Sequence, residues 1–198
     1  MTSLSAQEKR YLLDLARFAI KTSLHEGQAA EKPENIYPNL SEKRGAFVTL
    51  HKKSALRGCI GTIEPVKPLA NCIEENARNA AFKDPRFAPL SAEELSNIDI
   101  EISVLSLPEI LSFKDENDLK RQLIPSVHGV ILSRGWKRAT FLPQVWKQLP
   151  DKELFLQQLC LKAGLESDCW RKPGIEVRVY QVEFFSDTSE AVMKARLS

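Results

Sequence analysis

Apolar and polar positions alternate along this chain with two different periods. From Ala6 to Leu24, Leu12, Leu15, Ala16, Ala19 and Ile20 recur at helical spacing. Ser5-Ala6-Gln7-Glu8 precedes them as a capping box, serine and glutamate each satisfying an orphan backbone N–H, and Gly27 is the expected stop. Gln28 to Ser41, with Pro33 and Pro38, reads as a surface loop. A strand, Gly45 to His51, a turn at Lys52-Lys53-Ser54 and a returning strand, Ala55 to Ile63, form a hairpin. Pro68 opens a second helix with Leu69, Cys72, Ile73, Asn76, Ala77 and Ala80 inward, and this helix ends near Phe82, before Asp84-Pro85. Ser91 caps a short helical turn. Ile98 to Leu105 then alternates strictly, with isoleucines and a valine on one face and Asp99, Glu101 and Ser103 on the other.

Farther on, Asp115 to Ile124 predicts a third helix. Gly129–Leu132 and Arg138–Leu142 predict two strands turning at Arg134-Gly135-Trp136, and Gln144 to Leu149 a helical turn. Lys152 to Ala163 predicts a helix apolar nearly all round and hence well buried. In the last strand, Ile175 to Phe185, the apolar phase shifts midway, as a bulge or burial on both faces would require. Hairpins with helices at uneven intervals, and no βαβ rhythm, give an α+β fold with a mostly antiparallel sheet. The tail beyond Asp187 carries too little pattern to assign.

Chemistry concentrates in Leu56-Arg57-Gly58-Cys59-Ile60-Gly61. Strand alternation puts Arg57, Cys59 and Gly61 on one face, with a guanidinium one strand repeat (~6.6 Å) from the thiol and a gap at Gly61. A nearby cation favours the nucleophilic thiolate. Packing accounts for the same residues differently: Cys59 as a small buried hydrophobe and the glycines as close-contact positions. The hairpin register stays open. A two- or four-residue loop sets Ala46 and Val48 beside the motif; a three-residue loop sets Phe47, Thr49 and His51 there, and only then is His51 a candidate base.

The 198 residues fit one domain or a domain with a smaller lobe. A net charge of +2 gives no electrostatic instruction, and the basic pairs read as scattered solvated charges, so nucleic acid is a weakly supported partner. Met1-Thr2-Ser3-Leu4-Ser5 leads into a charged amphipathic segment, so neither a signal peptide nor a membrane span is expected. The expected location is the cytoplasm, with Cys59, Cys72, Cys160 and Cys169 all reduced. His25, His51 and His128 are far apart and no C-x-x-C pair occurs, so no metal or other cofactor is expected.

The six-residue motif matches the hallmark of the AMMECR domain family at every position. Three further stretches resemble the family in the same order: the Asp84-Pro85-Arg86-Phe87 segment, His128-Gly129-Val130, and Thr140-Phe141-Leu142-Pro143-Gln144-Val145. The resemblance spans nearly the whole chain and implies a single α+β domain, 1–198, with a larger and a smaller lobe. It also implies the separate protein A-like component of the AmmeMemoRadiSam system, with Memo-type and radical SAM proteins as partners and a small molecule or nucleobase as substrate. The Arg134-Gly135-Trp136-Lys137-Arg138 turn departs from the family's more glycine-rich form. On this footing Cys59, Arg57 and His128 are the candidate catalytic residues, with Cys59 as nucleophile and His128 as first candidate base. Gly58, Gly61, Arg86, Thr140 and Gln144 are candidate ligand-binding residues. Each has a structural counterpart: His128 as the hydrogen-bonded end of a strand, Thr140 as an ordinary strand residue, Gln144 as a turn cap, Arg86 as the partner of a carboxylate or carbonyl. Two classes of function follow: a cysteine-dependent enzyme, or a non-catalytic module that docks a partner.

Overall fold

The computed structural model describes residues 3–24, 31–34 and 36–188. His25, the Gly27 helix stop, residues 28–30 and 35 of the 28–41 loop, and the tail from 189 lie outside the described residues. The chain is α+β with two four-stranded antiparallel sheets, in two compact units: residues 1–105 with 183–198, and residues 106–182.

In the first unit, helix α1 (Ala6–Leu24) starts where its capping box directs. The Ser5 N–H donates to the Glu8 carboxylate at 2.7 Å and the Glu8 N–H to the Ser5 hydroxyl at 3.2 Å. Strands β1 (Ala46–Lys52), β2 (Ala55–Thr62) and β3 (Ile98–Leu105) and a returning strand, β8 (Val182–Ser186), make the sheet in the order β2-β1-β3-β8. Helix α2 (Leu69–Phe82) ends where Asp84-Pro85 requires. One sheet face is sealed: Ala46, Val48, Leu50, Ile100, Ile102 and Val104 are fully buried with the apolar stripes of α1 and α2. Period-2 geometry then sends Phe47, Thr49 and His51 of β1, and Asp99, Glu101 and Ser103 of β3, to the other face.

The second unit has the sheet β4-β7-β5-β6, built from β4 (Glu109–Ile110), β5 (Gly129–Arg134), β6 (Lys137–Phe141) and β7 (Glu176–Tyr180). Helices α3 (Glu116–Gln122) and α4 (Lys152–Lys162) supply Leu119, Phe155, Leu156 and Leu159 to its core. Trp146 stacks on Phe155 with ring centroids 3.6 Å apart.

Three expectations need correction here. The single last strand is two, β7 and β8, in different sheets; the phase shift marks the chain leaving one unit for the other at Gln181. Helix α4 is not buried all round, since Leu154 and Leu161 are 41% and 50% exposed. The four cysteines are not all reduced: Cys160, in α4, and Cys169, in the turn that follows, form a disulfide with Cα atoms 6.0 Å apart. Only the fold brings these two within bonding reach, and both sulfurs are shielded, at 0% and 1% exposure. Among the described residues no helix is long and apolar enough to cross a membrane.

Candidate functional site

The hairpin carrying the motif turns through two residues, Lys53 and Ser54, both at positive φ (50° and 64°), the backbone of a tight type I′ turn. Lys52 therefore faces Ala55, and His51 faces Leu56. The register then slips: Leu50 faces Gly58, and Thr49 faces Cys59, leaving Arg57 as the extra residue of a β-bulge. A two-residue loop plus one bulge reproduces the register of a three-residue loop. Phe47, Thr49 and His51 therefore share the Cys59 face.

This bulge corrects the expected pairing of Arg57 with the thiol. The Arg57 guanidinium hydrogen-bonds Glu94 at 2.9 and 3.1 Å and the Ala88 carbonyl at 2.9 Å. Lys52 binds the same carboxylate at 2.8 Å. Hydrogen bonds from Arg57, then Lys52, hold the Glu94 carboxyl down to about 2. The guanidinium that reaches Cys59 is that of Arg86, donating to the Cys59 carbonyl at 3.3 Å. Asp84, buried at the end of α2, accepts the Cys59 N–H at 2.8 Å and binds Arg86 at 2.7 and 2.9 Å. Strand β2 is a sheet edge, so Cys59 has backbone groups that no neighbouring strand can satisfy. The Asp84–Arg86 pair fills that position with side chains. Arg86's hydrogen bonds, ahead of the backbone N–H groups, hold Asp84 well below the usual carboxylate range. In return Asp84 raises Arg86, and the charge of an ionised Cys59 adds to that effect.

Cys59 is partly buried, and its sulfur lies 3.3 Å from the Thr49 hydroxyl, which donates to it. The gap expected at Gly61 is filled: a Cβ there would lie 2.1 Å from the Phe47 ring. At Gly58 a Cβ would meet the Ala80 carbonyl oxygen at 2.2 Å, so this glycine brings β2 against the α2 backbone. Both glycines serve close packing. The Phe87 ring lies between two guanidiniums, 5.9 Å from Arg57 and 5.5 Å from Arg86.

The row beside Cys59 carries polar groups that the sequence left unplaced. Thr49 pairs with Glu101 and His51 with Asp99 across β1 and β3. A cavity of about 250 Å³ opens there, lined by His51, Ser54, Asp99, Glu101, Ser186 and Thr188.

The other candidates belong to the second unit. His128 Nδ1 accepts the Ile124 N–H at 3.2 Å, and the His128 carbonyl accepts the Trp146 indole N–H at 2.7 Å. Burial lowers the imidazole below its ordinary value. The Thr140 hydroxyl donates to the Val130 carbonyl at 3.0 Å and lies 3.0 Å from the Tyr180 hydroxyl, whose pKa burial pushes up to about 12. Gln144 is exposed in the short helical turn Pro143–Lys147.

Sequence reasoning named Cys59 and Arg86, left Thr49 to one of two registers, and missed Glu94 and the role of Asp84. Thr49 required the register, and Glu94 the packing of its turn against Arg57. For Asp84 a signal existed: an aspartate one residue past a helix end, two before an arginine, is an Asx-type acceptor with a cation to hand.

Among proteins of known sequence, the chain is 43% identical over 185 residues to one from Methanothermobacter thermautotrophicus, covering 93% of this chain and 96% of that one. It is 39% identical to protein PF1979 of Pyrococcus furiosus, over 89% and 87% of the two chains. The crystal structure of uncharacterized protein PH0010 from Pyrococcus horikoshii superposes with a TM-score of 0.76 at 37% identity, covering 90% and 91%. Residues 13–185 match the AMMECR1 family, and together with the motif at β2 and the shared fold this establishes that the chain belongs to that family.

Proposed function

We propose that Cys59 is the reacting group of a cysteine-dependent enzyme or enzyme subunit that acts on a small molecule or nucleobase. The observation that carries this reading is the way Cys59 is held. Both of its edge-facing backbone groups are fixed by Asp84 and Arg86, while the residue stays partly exposed and its sulfur has a hydroxyl donor at 3.3 Å. A buried structural cysteine needs no such clamp. A thiolate held in one place by groups outside its own strand is pre-organised to add to an electrophilic carbon, and the Thr49 hydroxyl stabilises negative charge on sulfur. On this reading the protein works in the cytoplasm beside Memo-type and radical SAM proteins. The Cys160–Cys169 bridge is compatible with that compartment because attacking thiols cannot reach its buried sulfurs.

The test is iodoacetamide labelling of the intact protein with the modified residue mapped. Cys59 is expected to label much faster than Cys72, a buried cysteine whose thiol burial pushes up. Equal rates at the two sites defeat the reading.

One observation favours a docking module instead: Phe47 fills the space at Gly61 that a substrate was expected to use. That reading predicts that Cys59→Ser keeps partner binding and partner-dependent activity, while Arg57 or Arg86 variants lose both.

A further inference from the structure

The expected base, His128, lies in the second unit, whereas the hairpin register brings a different histidine to the Cys59 face. Strand β1 runs without interruption against β3 from Ala46 to Lys52, so Thr49 and His51 project to the same side. The hydrogen bond between Thr49 and the Cys59 sulfur shows that this is the sulfur's side as well. With Cys59 opposite Thr49, His51 is the next residue of β1 on that face, across the Arg57 bulge; in a regular ladder such a diagonal spans ~7–8 Å, within reach of long side chains. On the far flank, Asp99 is the residue directly opposite His51. Cys59, His51 and Asp99 thus run in sequence across three adjacent strands, and the cavity of about 250 Å³ opens at the His51–Asp99 end.

We infer that His51, oriented by Asp99, is the general base that activates Cys59. This rests on the reading of Cys59 as the reacting group and supplies a base from within the same unit. The Cys59 S–H proton passes to an imidazole nitrogen of His51, leaving a thiolate and an imidazolium. The Asp99 carboxylate accepts from the other ring N–H and stabilises the imidazolium, while the Thr49 hydroxyl donates to the sulfur. The proton returns to the product or leaving group, so no oxidant, metal or further reactant enters. The titratable groups facing His51 are Cys59 from β2 and Asp99 and Glu101 from β3. Ser54, Ile100, Ser186 and Thr188 complete the cavity and do not titrate. The nucleophile, base and orienting acid of a cysteine catalyst recur on unrelated folds and are identified by such geometry, not by order in the chain.

The experiment follows Cys59 alkylation by iodoacetamide against pH in the full-length protein, with circular dichroism confirming the fold of every variant. His51→Gln is expected to slow labelling about tenfold or more near pH 6.5 and to lose that difference at high pH, where the thiol ionises unaided. Asp99→Asn slows it less. His51→Ala is expected to regain rate when imidazole is added, a response that a purely structural role does not give. If the wild-type protein labels Cys59 fast and His51→Gln labels equally fast across the pH range, the base assignment is wrong while the reading of Cys59 stands. A loss with His128→Gln but not with His51→Gln also overturns it. Should wild-type Cys59 label no faster than Cys72, the reading of Cys59 as nucleophile falls, and the assignment of its base falls with it.

Discussion

Gly58 and Gly61 look alike in the sequence, yet different neighbours constrain them. A side chain at Gly58 meets backbone, the Ala80 carbonyl oxygen at 2.2 Å, which moves only if α2 moves. Gly58→Ala is expected to destabilise the protein by about 3 kcal/mol by overpacking, read as a lower midpoint in urea at unchanged slope. Gly61→Ala meets the Phe47 ring instead. That ring can rotate at some cost, so the loss should be smaller and Cys59 labelling should change more than stability. The carboxylates give a pH signature. Asp84 and Glu94 are both held below their ordinary values, Glu94 at about 2. A depressed carboxyl stabilises the folded state fully above its unfolded value, about 4, and that stabilisation is lost as pH falls through the folded value. Urea midpoints are therefore expected to drop between about pH 4.5 and 2, with a shallower drop in Glu94→Gln, because the variant has no proton to take up at that site.

At the level of elements, the β1–β2 hairpin is held in register by a strained turn and a bulge. Lys53 and Ser54 both sit in the left-handed region, where a side chain costs ~1–2 kcal/mol per residue and asparagine and glycine cost least. Replacing them with Asn-Gly is expected to raise stability by about 1 kcal/mol, measured by thermal unfolding, with Cys59 labelling unchanged. The bulge at Arg57 shapes the candidate site: it moves one guanidinium to Glu94 and brings Thr49 and His51 to the sulfur's side. In the second unit, the disulfide closes a loop of nine residues' separation. Reducing it in denaturant and refolding should cost about 2–3 kcal/mol, from the loop entropy released to the unfolded chain. Comparing Cys160→Ala/Cys169→Ala with wild type under oxidising and reducing conditions isolates that contribution.

On the scale of the whole molecule, the chain completes its first unit only by coming back. Residues 106–182 form a unit of their own between β3 and β8, and β8 must then close the sheet begun by β1, β2 and β3. Arg17 of α1 secures the return. Its guanidinium binds Asp187 and the carbonyls of Leu95 and Ile98, and Asp187 in turn accepts the Ile100 N–H at 3.1 Å. Lys9 holds Glu183 at 2.8 Å. Asp187→Ala is expected to destabilise the first unit by about 2 kcal/mol, since it strands a partly buried cation and a backbone donor. Hydrogen exchange should show loss of protection in α1 and β3, far from the substitution in sequence.

Local pattern alone determined much of this protein. The capping box and apolar stripe delimit α1, proline chemistry ends α2, and strict alternation defines β3, because each depends on contacts only a few residues apart. The motif at β2 is legible as a candidate site for the same reason: Arg57, Gly58, Cys59 and Gly61 lie within one contiguous stretch. Where they point was decided by the tertiary structure. One bulged residue inverts the face of everything beyond it, and no periodicity in Ala55 to Ile63 reveals that Arg57 is the extra one. The Cys160–Cys169 bond, the filling of Gly61's space by Phe47, the division of the last strand between two sheets and the placing of His51 and Asp99 on the Cys59 face all involve residues distant in sequence. Their energies depend on packing and register, which exist only once the chain has folded.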